Sequence, residues 1–186
     1  MTKYSYACVS VFLLMLSACA PFDYHGDSPV RYHDTGIFPY DRVRDKKAML
    51  QLFSDNKYWL FPADNALDSE YFFDHCSPTM NVADHNRESI MVYRIGGSAI
   101  GLVSYYIESA GVGRIHFLVI DEPYRGKGYS QKLMHYALQD LKKEGAKKVW
   151  LVTRMDNLPA QRLYLGLGFK NGIHNTEYVC FEKYFD

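Results

Sequence analysis

The sequence predicts a mixed α/β domain in which a largely antiparallel sheet is flanked by helices. Three observations carry this. Three consecutive segments between Ser89 and Ile120, rich in apolar, β-branched and aromatic residues and separated by glycine-containing turns, read as strands. A 3.6-residue apolar period then covers Tyr129 to Glu144. The remaining stretch reads as strand, helix and strand in short units, with no internal repeat, low-complexity tract or second domain.

The first 19 residues stand apart. Lys3 precedes an apolar run from Ala7 to Leu16 that stops at Ser17, Ala18 and Cys19, which is the layout of a signal peptide. As a helix the run reaches about 20 Å, short of a hydrocarbon core of about 30 Å, so a stable membrane span is not expected. Leu16, Ser17, Ala18 and Cys19 resemble the lipobox of bacterial lipoproteins, which implies lipidation of Cys19 and a membrane anchor. The alternatives are a packed helix in a cytoplasmic protein or a start placed too early, so the location stays open between membrane-anchored and cytoplasmic. Residues 20–29 are polar with proline and glycine and read as a tether, leaving 30–186 for the folded domain.

Within that domain a first helix is expected over Asp41 to Ser54. Ala48, Met49, Leu52 and Phe53 recur at helical spacing behind a charged opening with Asp41 and Asp45. Leu60 to Asn86 is aromatic-rich and irregular, with one short helix. Ile90 to Ile95, a Gly96-Gly97 turn and Ala99 to Ile107 make a hairpin, and Gly111 to Gly113 leads into a third antiparallel strand, Arg114 to Ile120. A period of two puts His116, Leu118 and Ile120 on one face of that strand and Ile115, Phe117 and Val119 on the other. The helix from Tyr129 to Glu144 carries Leu133, Ala137 and Leu141 on one row and Met134 and Leu138 on the next, and Gly145 stops it. Val149 to Val152 is a buried strand. Leu158 to Leu165 is a short helix that starts at Asn157 with Pro159 in its first turn, and Tyr178 to Phe185 closes the chain as a strand.

Charge narrows the function classes. The chain has 21 basic and 21 acidic side chains, so no global field gathers a polyanion, and no nucleic-acid partner is expected. The balance is uneven: residues 1–109 carry 9 basic and 13 acidic side chains, and 110–186 carry 12 and 8. An anion site belongs in the second part, and a cationic ligand is slightly favoured in the first. His75, Cys76 and His85 complete no recognised ligand set, so no metal is expected. Cys76 and Cys180 are too far apart in sequence to say whether they pair. Lys142, Lys143, Lys147 and Lys148 read as a solvated face that could also assist a phosphate.

The segment from Ile120 to Ser130 lies between a strand and a helix. Gly126 and Gly128 let the backbone turn tightly and uncover the first amides of the helix, whose dipole favours an anion, and Arg125 and Lys127 add full charges. By itself this is equally a solvated turn. With the chain downstream, it resembles the acyl-CoA loop of the GCN5-related N-acetyltransferases. That loop reads Arg or Gln, two residues, Gly, one residue, then Gly or Ala, and the match runs Arg125, Gly126, Lys127, Gly128, Tyr129, Ser130, with a serine in the last place. The second block of that family, an asparagine and then a short helix ending in Tyr-x-x-x-Gly-Phe, appears as Asn157 and as Tyr164 to Phe169. The resemblance covers roughly residues 30–186, most strongly from Ser89 onward.

What the resemblance implies is specific. The sheet is splayed beside the strand before the loop, and the pantetheine arm of acetyl-CoA, the cosubstrate, lies on Leu118, Val119 and Ile120. The pyrophosphate sits on the amides of Arg125, Gly126, Lys127, Gly128, Tyr129 and Ser130. Asn157 binds the arm, unless it only caps its helix, and Tyr164 stands near the thioester sulfur. The acetyl group passes to a primary amine by direct attack in a ternary complex, in a monomer or a homodimer. A phenol facing the departing thiolate stabilises it by hydrogen bonding more than by full proton transfer, and an amide at or beside Val119 meets the oxyanion. His116, where many relatives carry a glutamate, is the candidate base, because an imidazole is mostly neutral at pH 7; a satisfied, partly buried histidine is the plain alternative. Trp59, Phe61, Tyr71, Phe72 and Phe73 line an acceptor pocket or fill the core. A different expectation follows from the lipobox, since acetyl-CoA belongs to the cytoplasm: an envelope lipoprotein whose fold serves as a non-catalytic binding module.

Overall fold

A computed structural model describes residues 34–61, 67–75 and 88–185. The signal-like segment with Cys19, the tether, Cys76 and His85 lie outside the described residues. No helix among the described residues is long and apolar enough to cross a membrane.

Seven strands, β1 (Gly36–Pro39), β2 (Ser89–Ile95), β3 (Ser98–Ser109), β4 (Val112–Ile120), β5 (Lys148–Arg154), β6 (Lys170–His174) and β7 (Tyr178–Tyr184), form one mixed sheet. Its order is β1-β2-β3-β4-β5-β7-β6, and every neighbouring pair is antiparallel except β4 and β5. The β2–β3 hairpin turns on Gly96 and Gly97, whose φ of 56° and 86° is the left-handed conformation a two-residue turn requires. The meander expected between Ser89 and Ile120 is present. The edge strands β1 and β6 have no counterpart in the sequence reading. β1 is four residues long and ends in a proline, and β6 is exposed at four of its five positions, so neither carries an alternating pattern.

Helices cover both faces. On one, α1 (Arg42–Asp55) and α3 (Ser69–His75), with the one-turn α2 (Lys57–Leu60) between them, lay Met49, Leu52, Phe53, Phe72 and Phe73 against Val92, Leu102, Phe117 and Val119. On the other, α4 (Tyr129–Lys143) and α5 (Leu158–Gly166) bury Leu133, Met134, Ala137, Leu141 and Tyr164 against Val103, Ile115, Ile120, Val149 and Phe181. Gly101 is fixed by its neighbours, since a Cβ there would stand 2.6 Å from the Val119 carbonyl oxygen and 2.5 Å from Ile120 Cδ1.

The period of two expected along β4 fails at one place. Ser104 pairs with Phe117 but Tyr105 with Ile115, so His116 is the extra residue of a β-bulge. The Phe117 amide donates to the Ser104 hydroxyl at 3.2 Å. Beyond the bulge the faces are exchanged: Ile115 joins Leu118 and Ile120 on the α4 side, and His116 lies with Phe117 on the α1 side, their rings stacked 3.9 Å apart.

Asp45, read in the sequence as a helix-start charge, is instead buried in an ion pair. Its carboxylate accepts from Arg94 Nε at 3.0 Å and Nη2 at 2.5 Å, and from the Asp41 amide at 2.8 Å. Arg94 also donates to the Pro39 carbonyl at 3.3 Å, so one guanidinium ties β1, β2 and the start of α1 together. Removing one partner of such a pair strands the other charge in the interior. Asp45→Ala is therefore expected to cost about 3–5 kcal/mol in urea unfolding, and the double variant Asp45→Leu with Arg94→Met to recover most of that loss.

Candidate active site

The pairing of β4 with β5 is short. Val112, Gly113 and Arg114 face Lys148, Val149 and Trp150, and from Ile115 onward the two strands part. At the last contact Gly113 allows close approach, because a Cβ would meet Leu141 at 3.0 Å and Val149 at 3.3 Å. The bulge at His116 begins the divergence, bending and twisting β4 away. Between the strands opens a cavity of about 500 Å³, walled by Ile115–Ile120 on one side and Leu151, Val152 and Thr153 on the other. Asn157, Pro159, Ala160, Leu163 and Tyr164 of α5 and its cap line it, as do Arg125, Gly126, Tyr129 and Ser130 at the start of α4. Asn56, Trp59 and Leu60 close the α1–α2 side.

The loop from Arg125 to Ser130 presents free donors. Gly128, at φ 81°, precedes α4 without any side-chain cap, and the amides of Gly126 through Gln131 have no acceptor among the described residues. A Cβ on Gly126 or Gly128 would meet nothing within 4 Å, so the glycines are set by their positive φ, and the space above them is open. Arg125 departs from the expectation. Its amide donates to the Glu122 carbonyl at 3.1 Å, its Nε to the Ile120 carbonyl at 3.0 Å and its Nη2 to Asn56 Oδ1 at 2.7 Å. It braces the loop against the α1–α2 turn and offers no amide to a ligand. Lys127 turns back to the Pro123 carbonyl at 2.9 Å and lies over the Tyr124 ring.

Tyr164 is buried between Phe169 and Phe181, and burial holds its phenol well above the usual tyrosine range. It lines the cavity, and its hydroxyl has no hydrogen-bond partner among the described residues. Asn157 caps α5, accepting from the Ala160 amide at 3.3 Å, while its side-chain amide donors remain available at the cavity wall. His116 lines the cavity too, with Nδ1 held 2.8 Å from Glu88 Oε1. Leu118, Val119 and Ile120 form the β4 wall.

A profile of the acetyltransferase (GNAT) family matches residues 46–169, two-thirds of the chain. The chain belongs to the GNAT acetyltransferase family. Among curated proteins it is 35% identical over 57 residues to N-alpha-acetyltransferase 30 of Saccharomyces cerevisiae, covering 31% of this chain and 32% of the relative. It is 35% identical over 52 residues to the ribosomal protein bS18-alanine N-acetyltransferase of Haemophilus ducreyi, covering 28% and 36%. The match thus spans about a third of the length of these curated relatives. Among solved structures, the PaiA N-acetyltransferase of Thermoplasma acidophilum, in complex with coenzyme A, superposes with a TM-score of 0.68 at 15% identity, over 82% of this chain and 99% of that one. The mixed sheet flanked by helices is the fold they share.

In this GNAT chain the splayed strand pair, the loop, Asn157, Tyr164 and His116 surround one cavity. Of the aromatics offered for an acceptor pocket, Trp59 lines it, Phe61, Phe72 and Phe73 are core, and exposed Tyr71 stacks on His75. The lysine cluster is not near the loop. Lys142 and Lys143 lie in the last turn of α4, about 20 Å along the axis from Gly128, and Lys148 pairs with Glu182 at 2.6 Å. Asn56 and Glu88 escaped the sequence reading, because their partners Arg125 and His116 lie 69 and 28 residues away and no local pattern marks them. Since Arg125 and Asn56 act as one brace, Arg125→Ala and Asn56→Ala should each lower the unfolding free energy by about 1–2 kcal/mol, and the double variant by less than their sum.

Proposed function

We propose that this chain is an acetyl-CoA-dependent N-acetyltransferase that acylates a primary amine by direct attack within a ternary complex. The observation that carries the reading is the parted β4–β5 pair, which leaves an unpaired backbone edge along Ile115–Ile120 and ends at six uncommitted amides at the start of α4. An extended arm bearing amides and a pyrophosphate is the ligand chemistry that satisfies both. The arm runs along Leu118, Val119 and Ile120 with Asn157 opposite, and the phosphates rest on the amides of Gly126, Lys127, Gly128, Tyr129 and Ser130. Bound there, acetyl-CoA supplies the activated acetyl group. An amide beside Val119, at Leu118 or Ile120 on the edge of β4 turned away from β3, meets the oxyanion, Tyr164 donates a hydrogen bond toward the sulfur, and His116 accepts the proton of the amine. The open cavity supports this reading over that of a non-catalytic module. The names of the curated relatives support a protein amine as one acceptor class.

Calorimetric titration tests the binding half. Acetyl-CoA should bind in the micromolar range, and Gly128→Glu, which fills the cradle and repels phosphate, should weaken it at least tenfold, about 1.4 kcal/mol or more. Absence of binding at millimolar ligand overturns the proposal. For chemistry, Tyr164→Phe should lower kcat about tenfold while the KM for acetyl-CoA holds. Because burial raises the phenol, it stays protonated through neutral and mildly alkaline solution. The ratio of wild-type to Tyr164→Phe rates should then be flat from about pH 6.5 to about pH 9, and a ratio that collapses toward the alkaline end would remove Tyr164 as the donor.

A further inference from the structure

We propose that Glu88 is a positioning residue for His116, holding the imidazole as the Nδ1–H tautomer so that an unprotonated Nε2 is what the cavity offers an incoming amine. The inference rests on the acetyltransferase reading and adds to it a carboxylate, that of Glu88, which no motif marks. A carboxylate has only acceptor sites, so at 2.8 Å from Glu88 Oε1 the Nδ1 atom of a neutral His116 must carry the hydrogen. Nε2 has no partner among the described residues, and the side chain lines the cavity.

The ring cannot turn away from this arrangement. Phe117 stacks on it at 3.9 Å, Phe72 meets its edge at 6.2 Å from α3, and Tyr106 does so at 6.0 Å from β3. His116 occupies this slot because the β-bulge turns it onto the Phe117 side. Glu88 is itself only 12% exposed, so its charge is poorly screened and its hydrogen bond to the ring is strong. Among the described residues, the other charges on the surrounding elements are occupied. Arg114 of β4 pairs with Glu108 and lies over Trp150, Glu70 and Asp74 of α3 are held by Lys46, and Arg154 of β5 donates to the Tyr58 and Phe61 carbonyls. The Tyr106 phenol is kept neutral by burial.

The dyad carries one negative charge with a neutral ring, which favours an acceptor arriving as an ammonium ion. An N–H bond of the ammonium breaks, its proton passes to Nε2, and its electron pair stays on nitrogen. The imidazolium is then stabilised by the Glu88 carboxylate. That electron pair forms the C–N bond while the C–S bond breaks. Sulfur leaves with the bonding pair, hydrogen-bonded by Tyr164, and takes the proton nitrogen sheds on becoming an amide. His116 returns its proton to water.

Two measurements on the full chain test this, both compared with Glu88→Gln and Glu88→Asp. Nitrogen-15 NMR of the His116 ring, with acetyl-CoA bound, should show the Nδ1–H tautomer in the wild type and in Glu88→Asp, and its loss in Glu88→Gln, whose amide can donate as well as accept. In acetylation of a peptide with a free N-terminal alanine, Glu88→Gln should lower kcat about tenfold with the KM for acetyl-CoA unchanged, and Glu88→Asp should recover most of the rate. A ring that keeps the same tautomer in the wild type and Glu88→Gln overturns the proposal, even if acetyl-CoA still binds and the acetyltransferase reading stands. Failure of the wild type to bind acetyl-CoA overturns that reading instead.

Discussion

Backbone pairing between β4 and β5 ends after Arg114 and Trp150, in the middle of a seven-stranded sheet, and each strand then keeps one edge of N–H and C=O groups without a ladder partner. Each such group costs about 1–3 kcal/mol if it is shut away from water or another partner. The parting can persist only because the cavity between the strands stays open, and because each strand is held along its other edge. β3 pairs with β4 as far as Ile120, β7 pairs with β5 as far as Arg154, and α4 crosses beneath both. Gly113 pulls the strands together at one end and the bulge at His116 sends them apart immediately after. Two local backbone features thus create the place where a ligand backbone can enter as a missing strand.

The cavity is also braced from the α1–α2 side. Arg125 reaches from the α4 loop to Asn56, whose amide donates to the Leu52 carbonyl. Arg154, at the end of β5, reaches to the carbonyls of Tyr58 and Phe61, and Tyr58 returns a 2.6 Å hydrogen bond to Asp156. The short segment that closes one side of the site is therefore pinned both to the loop that would hold phosphate and to the strand that would face the arm. Ordering of one wall carries a consequence for the other, since the same few residues of the turn serve both.

The parts legible in the sequence are those whose cause is local. The 3.6 period of α4, the Gly96-Gly97 turn, the capping asparagine at 157 and the paired glycines of the loop each answer a constraint met within a few residues. The bulge does not, because it depends on which β3 residue stands opposite. A strict period of two accordingly assigned Ile115 and His116 to the wrong faces. Edge strands β1 and β6 lack the alternation that burial of one face imposes. The pairs Asp45 with Arg94, Glu88 with His116 and Arg125 with Asn56 join residues 28 to 69 apart, and no spacing rule reaches across such distances.

The charge asymmetry and the free amides of the α4 loop fall in the same half of the chain, but most of the side chains behind that asymmetry lie elsewhere or are already bonded. Residues 110–186 hold 12 basic and 8 acidic side chains, yet few of those cations stand free at the loop. Arg125 is spent on carbonyls and Asn56, Lys127 turns back to Pro123, Lys148 is paired, and Lys142 and Lys143 lie at the opposite end of α4. What remains at Gly126 to Gln131 is a row of uncommitted amides at the positive end of a 15-residue helix. An anion site built from backbone dipoles needs two glycines at positive φ more than it needs net charge, so a neutral composition is compatible with the phosphate cradle proposed for this loop.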